Sequence, residues 1–106
     1  MSYRFMRVFV MFDLPTETSV HRKAYRDFRK YLLVNGFIML QESVYVKLVL
    51  NTTSVKLLEK QLREHKPADG NICLLTVTEK QYSKMEILIG ETQSEVLDTT
   101  ERVIVL

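Results

Sequence analysis

The fold is decided by residues 8–15, which read Val8-Phe9-Val10-Met11-Phe12-Asp13-Leu14-Pro15. Five apolar residues in a row predict a strand that is buried on both faces, because a half-exposed strand would alternate apolar and polar side chains. Pro15 ends the strand, since it has no N–H to donate to a neighbouring strand. Asp13 is therefore a carboxylate at a strand end beside a turn, where rigid scaffolds often present chemistry.

The composition indicates one globular domain. The chain has 106 residues, of which 46% are hydrophobic and 26% charged, and this excludes a disordered tail. No apolar run approaches the ~18 residues that a membrane-spanning helix needs, and the N-terminal residues do not resemble a signal peptide, so we expect a cytoplasmic protein. Cys73 is the single cysteine and lies in the apolar run 72–75, which favours a buried structural thiol over a nucleophile.

The charge is distributed unevenly along the chain. Residues 1–67 carry 12 Lys and Arg against 6 Asp and Glu, whereas residues 68–106 carry 3 against 7. A basic front and an acidic tail indicate two surfaces with different partners. The alternative is scattered charge that only keeps the protein in solution.

The spacing of apolar residues predicts six core elements in the order β-α-β-β-α-β. The strands are expected at about 4–12, 37–40, 43–50 and 71–78, and the helices at about 16–35 and 53–65. The predicted buried positions are Val20, Ala24, Phe28, Tyr31 and Leu32 in the first helix and Val55, Leu58 and Leu62 in the second. This order is that of the ferredoxin-like split βαβ unit, an α+β fold.

In this fold both helices cover one face of the sheet and leave the other open. Because the first strand is apolar on both sides, the open face predicts a homodimer packed sheet to sheet. We expect residues 1–80 to form the ferredoxin-like core and residues 81–106 a C-terminal extension. Within it, segments 86–89 and 102–106 are predicted as short strands that pair with the dimer partner or another chain, or lie at the edge of the same sheet.

The first helix carries the candidate nucleic-acid-binding residues, which are Arg22, Lys23, Arg26, Arg29 and Lys30. Arg22, Arg26 and Arg29 recur at i, i+4 and i+7 and so lie along one stripe. Guanidinium groups in a row match phosphate oxygens, and the stripe contains no acid. The stripe therefore favours contacts to a nucleic-acid backbone over a merely solvated helix face.

Asp13 is the candidate metal ligand and the candidate catalytic residue. One carboxylate cannot hold Mg²⁺, which takes about six oxygen ligands, but a two-fold axis near the strand end would bring two copies of Asp13 together. The alternative is that Asp13 only caps the turn before Pro15. His21 and His65 are expected to be surface residues, although His21 is close enough in sequence to Asp13 to join a site.

Three motifs resemble one known family. They are the strand and turn 8–16, the helical pattern Arg22-Lys23-x-Tyr25-Arg26-x-Phe28-Arg29, and Gly36-Phe37 followed by Gln41-x-Ser43-Val44-Tyr45. In this order and spacing they are similar to the small CRISPR-associated adaptation protein, the second core subunit of CRISPR spacer acquisition. The resemblance is to the branch that accompanies a single large RNA-guided nuclease, and it extends over the whole chain.

The resemblance implies a ferredoxin-like homodimer in which Asp13 is the metal-binding aspartate at the end of the first strand. It also implies a dimer that lies between two integrase dimers and spans a short double-stranded DNA fragment. Members of the family are described as metal-dependent endonucleases on RNA or DNA.

Three functions follow from the residues and the resemblance together. The first is a DNA-binding scaffold of the adaptation complex, with the integrase as its partner. The second is a divalent-metal phosphodiesterase in which Mg²⁺ on paired Asp13 activates water. The third is a ferredoxin-like small-molecule regulatory domain, which the basic stripe disfavours.

Overall fold

A computed structural model describes residues 5–89, which form a four-stranded antiparallel sheet and three helices. The elements are β1 (Met6–Asp13), α1 (Ser19–Val34), β2 (Ile38–Gln41), β3 (Val44–Val49), α2 (Thr52–His65), β4 (Asn71–Thr78) and α3 (Glu79–Ser83). The strands lie in the order β2-β3-β1-β4. The predicted α+β, ferredoxin-like fold is confirmed, and α3 is an addition that the sequence did not predict.

The central strand β1 contributes side chains to both faces of the sheet. Val8, Val10 and Phe12 point toward α1 and α2 and are buried with them in one core. Phe9 and Met11 alternate with these residues, so they lie on the opposite face. This second face is called the open face below.

α1 is shorter at its start than the sequence pattern predicts. It begins at Ser19 because Thr18 is the N-cap, whose side chain accepts a hydrogen bond from the His21 N–H. Val20, predicted to be buried, is 73% exposed. An i, i+4 series advances by about 40° per step around a helix, so Val20 lies about 80° from the buried Phe28. At the other end Gly36 takes a left-handed conformation, with φ +91°.

The short helix α3 is attached to the open face by a single side-chain cluster. The Arg7 guanidinium donates two hydrogen bonds to the Glu79 carboxylate, of 2.7 Å from Nε and 3.1 Å from Nη2. The same guanidinium lies 4.3 Å from the centre of the Tyr82 ring. The centres of the Phe9 and Tyr82 rings are 5.8 Å apart. This cluster, the Arg7–Glu79–Tyr82 clamp, covers part of the face that was expected to be open.

Two further expectations differ from the structure. Cys73 is exposed rather than buried, because its register opposite Met11 places it on the open face, away from the helices. Residues 86–89 form no strand within this chain, and a strand needs a partner to complete its hydrogen bonds. The predicted strand 102–106 lies outside the described residues, so the division of the chain at residue 80 stays a prediction.

The turn after Asp13 rests directly on a glycine. Gly70 has φ +102°, and a Cβ on it would lie 2.6 Å from Leu14 Cδ2 and 2.9 Å from the backbone oxygen of Asp13. Leu14 is itself buried. Both contacts are shorter than real Cβ atoms tolerate, so only glycine lets the α2–β4 connection pack beneath this turn.

In residues 5–89, no helix is long and apolar enough to cross a membrane.

We expect Gly70→Ala to destabilise the protein more than Gly36→Ala does. Both alanines would be strained by about 1–2 kcal/mol in a left-handed conformation. Only at Gly70 would the new methyl group also collide with backbone, which adds about 1–3 kcal/mol. Chemical denaturation of the two variants measures the difference. Equal free energies of unfolding would contradict the close packing of Gly70 against the Asp13 turn.

Because the clamp contains an ionised carboxylate, we expect the protein to lose stability in acid. The hydrogen bonds from Arg7, and then its charge, hold the pKa of the Glu79 carboxyl below its ordinary value of 4.5. The ionised Glu79 carboxylate therefore stabilises the folded state fully above pH 4.5. This stabilisation is lost as the pH falls through the lower pKa that Glu79 has in the folded state. Glu79→Gln should flatten the dependence of unfolding free energy on pH in this range, whereas Glu86→Gln, which lies outside the clamp, should retain the wild-type slope.

Candidate metal and nucleic-acid site

Asp13 is held in place by its two buried neighbours. Phe12 lies in an aromatic cluster, with ring centres 5.3 Å from Phe28, 5.7 Å from Tyr45 and 5.8 Å from Tyr25. Leu14 is 8% exposed, whereas Asp13 itself is exposed. The carboxylate is therefore presented to solvent from a backbone that the core packing immobilises.

The alternation of β1 decides which way Asp13 faces. Phe12 and Leu14 are buried on the helix side, so Asp13 lies with Phe9 and Met11 on the open face. Asn71 pairs with Asp13 across β1 and β4 and lies on the same face. The strand end is also tied to the β2–β3 turn, since the Phe12 N–H donates to the Ser43 backbone oxygen at 3.1 Å.

Asp13 and Asn71 are chemically suited to bind a hard cation, but the described residues of one chain supply few oxygen ligands. The Asp13 carboxylate and the Asn71 amide both offer oxygen, the ligand type that Mg²⁺ prefers. Among the described residues, no group of three or more His, Cys, Asp and Glu side chains could hold a metal ion. A magnesium site at Asp13 therefore requires ligands beyond residues 5–89 of one chain, such as water and a second Asp13.

The open face carries apolar side chains that the other described residues leave accessible. Ile38 is 58% exposed, Leu48 40% and Leu75 50%, and all three lie on this face by their register with β1 and β3. A face of this character is typical of an association surface. Asp13 lies at one end of it.

Two of the five candidate cations on α1 are occupied within the chain. The Arg22 guanidinium donates from Nη1 to the backbone oxygens of Thr16 (3.1 Å) and Glu17 (3.2 Å), so it holds the loop that leads into α1. Lys23 Nζ donates to Asp27 Oδ2 at 2.7 Å, one helical turn away. These two side chains therefore have intramolecular roles that the sequence did not predict.

The other three candidates are available to a ligand. Arg26, Arg29 and Lys30 are exposed, and none forms an ion pair or side-chain hydrogen bond with any residue in the range 5–89. They share the outer surface of α1. We call these three residues the α1 cation patch.

His21 does not contact Asp13. Its Nε2 atom lies 3.2 Å from Asp69 Oδ2, and this contact links the first turn of α1 to the connection between α2 and β4. Its Nδ1 atom is buried and has no hydrogen-bond partner among the described residues. His21 thus supports the loop that contains Gly70, beneath the Asp13 turn.

Sequence reasoning missed Asn71 and the supporting role of Gly70. The register that places Asn71 opposite Asp13 depends on pairing between strands that are far apart in the sequence. A polar residue at the first position of a strand was the one local signal for Asn71.

Comparisons with known proteins agree with this architecture. The family model for CRISPR associated protein Cas2 matches residues 6–85. A CRISPR-associated endoribonuclease Cas2 of Treponema denticola is 55% identical over 101 residues, which are 95% of this chain and 100% of that protein. One of Streptococcus mutans is 50% identical over 101 residues, 95% of this chain and 93% of that protein.

The fold is also similar to a solved structure. The crystal structure of Streptococcus pyogenes Cas2 at pH 6.5 superposes with a TM-score of 0.59 at 23% identity, over 77% of this chain and 98% of that chain. This likeness supports the fold, and the family model and the closer relatives support the family. The chain belongs to the Cas2 family of CRISPR-associated proteins.

Proposed function

We propose that this chain is a scaffold subunit of the CRISPR spacer acquisition complex and binds double-stranded DNA between integrase dimers. The observation that carries the proposal is the α1 cation patch, in which Arg26, Arg29 and Lys30 are exposed and unoccupied by the described side chains. Membership of the Cas2 family supports a role in CRISPR adaptation. Exposed guanidinium groups pair with phosphate oxygens of any sequence, as a scaffold requires.

The proposed scaffold is a homodimer that packs open face to open face. Its support is the exposed apolar surface formed by residues such as Ile38, Leu48 and Leu75. Dimerisation would remove these side chains from water, which stabilises by roughly 25 cal/mol per Å² of apolar surface. It would also give two α1 cation patches, one from each protomer, to follow the DNA backbone.

Removing two cations of the patch should weaken DNA binding without regard to sequence. We expect the double variant Arg26→Ala/Arg29→Ala to bind all duplexes less tightly, because each lost phosphate contact lowers the slope of log affinity against log salt by about 0.9. Fluorescence anisotropy over a range of salt concentrations measures this slope. The matched control is Lys56→Ala/Lys60→Ala, which removes two exposed cations from α2. An unchanged slope in the α1 variant would contradict the proposal.

A second candidate function is a metal-dependent endonuclease, and the names of the relatives favour it. The relatives of Treponema denticola and Streptococcus mutans are named endoribonucleases. In this chain Asp13 is exposed at a rigid strand end with Asn71 opposite. Across a dimer, two copies of each residue could provide oxygen ligands for one Mg²⁺ ion.

The residues would have distinct tasks in such an enzyme. Mg²⁺, when bound, supplies an activated water molecule and stabilises charge on the scissile phosphate. Asp13 would hold the ion, and Asn71 would orient it or the phosphate through its amide group.

The two functions separate in one reconstitution. We expect Asp13→Asn to abolish Mg²⁺-dependent cleavage of RNA and DNA, while spacer integration with the integrase persists. Glu17→Gln, a nearby carboxylate outside the strand end, should leave both activities intact. Sedimentation confirms that the variant keeps its oligomeric state. If integration is lost while that state is kept, Asp13 belongs to the scaffold itself and the nuclease site is not separable.

A further inference from the structure

A groove between α1 and the end of α2 has no role in the functions proposed above. It is lined by Ala24, Asp27, Phe28, Tyr31, His65 and Pro67. Its volume is about 280 Å³, close to the ~300 Å³ at which small-molecule sites begin. The groove therefore has room for one flat ring system.

Two stacked aromatic rings form one wall of the groove. The Tyr31 and His65 rings are nearly parallel, at 15°, with their centres 4.3 Å apart. His65 Nδ1 lies 2.9 Å from the backbone oxygen of Gln61, and because a carbonyl only accepts, this nitrogen donates and fixes the ring. His65 is exposed, and Tyr31 covers one of its faces, so its accessible surface is the opposite face and the ring edges.

An ionised carboxylate lies beside the two stacked rings. Asp27 lies one helical turn before Tyr31 and so on the same side of α1. The hydrogen bond from Lys23, followed by the charges of Lys23, Arg26 and Lys30, lowers the pKa of the Asp27 carboxyl. Lys23 occupies Oδ2, whereas Oδ1 accepts no hydrogen bond from the described side chains. The groove thus contains a free, negatively charged acceptor.

The charges around the groove are mostly positive. Arg26 and Lys30, two members of the α1 cation patch, are close enough to Asp27 to influence its ionisation. Glu64 is an acid near this groove. Burial first, and then the charge of Glu64, raise the pKa of the Tyr31 hydroxyl, so the hydroxyl stays neutral. An anionic strand could therefore place its phosphates on the patch and one base in the groove.

We propose that this groove binds one unpaired guanine of a single-stranded nucleic acid. The base would stack on His65, as bases stack on aromatic side chains in single-strand-binding proteins. Its Watson–Crick edge would donate N1–H and N2–H to the Asp27 carboxylate, one to the free Oδ1 and the other to Oδ2, which also accepts from Lys23. Guanine is the one standard base with two adjacent donors on this edge, so a carboxylate distinguishes it from the other three. The proposal holds whether or not Asp13 cleaves.

Binding to short strands that differ only in the central base tests the preference. The strands are measured by anisotropy in a metal chelator, which prevents any cleavage, and in matched RNA and DNA versions that show whether the sugar matters. We expect the strand with central guanine to bind about tenfold more tightly, as one additional hydrogen bond to a charged acceptor would provide. Equal affinity for all four bases would overturn the proposal.

Variants of the two groove residues separate stacking from base recognition. His65→Ala should weaken single-strand binding about five- to 150-fold, and His65→Phe should restore it. Asp27→Asn should keep the binding but lose the preference for guanine, whereas Glu59→Gln, a carboxylate of α2 outside the groove, should retain it. Duplex binding should be the same in all four variants, because paired bases cannot enter the groove.

A purely structural role for the stacked rings gives a different result. In that case His65→Ala would lower the melting temperature and leave single-strand affinity unchanged, which would overturn the proposal. Failure of duplex binding by the wild type would contradict the scaffold function instead. The two proposals therefore fail in separate measurements.

Discussion

The burial of Phe12 is the constraint on which the functional end of the molecule depends. Its ring touches α1 through Tyr25 and Phe28 and β3 through Tyr45, so one side chain joins three elements. Burial of a side chain of this size stabilises by roughly 1.5–3 kcal/mol, enough to fix the strand end. Because side chains alternate along a strand, this burial obliges Asp13 to face the other way, onto the open face.

The open face is covered at one end and accessible over the rest. The Arg7–Glu79–Tyr82 clamp covers the end of β1 far from Asp13, whereas apolar residues such as Leu75 stay accessible. The carboxylate of Glu79 is ionised and doubly hydrogen-bonded, so the clamp holds its geometry at neutral pH. A partner that packs on this face would meet apolar surface in the middle and Asp13 at one end.

The five basic residues of α1 do not act as one uniform stripe. Arg22 stabilises the loop before the helix, and Lys23 holds Asp27. The remaining cations form the patch, and the Lys23–Asp27 pair lies beside the groove with the stacked Tyr31 and His65 rings. Sequence spacing placed these residues on the exposed surface of α1, but it could not distinguish cations that are used internally from those that are available.

Local patterns in the sequence determined much of the fold. Apolar spacing predicted the order of the six core elements and their approximate bounds. These features depend on neighbouring residues, so a single sequence contains their signal. The same patterns indicated Asp13 as the residue at the strand end, since an apolar run followed by a proline is also local.

Tertiary structure alone decided which residues meet. Arg7 and Glu79 are 72 positions apart, Gly70 supports a turn at Leu14, and His65 stacks on Tyr31 across two helices. The alternation of β3 was evident, but only its pairing with β1 turned Tyr45 inward and Val44 outward. Each of these contacts depends on the register of the strands and the packing of the helices, which are set by the whole core rather than by any one segment.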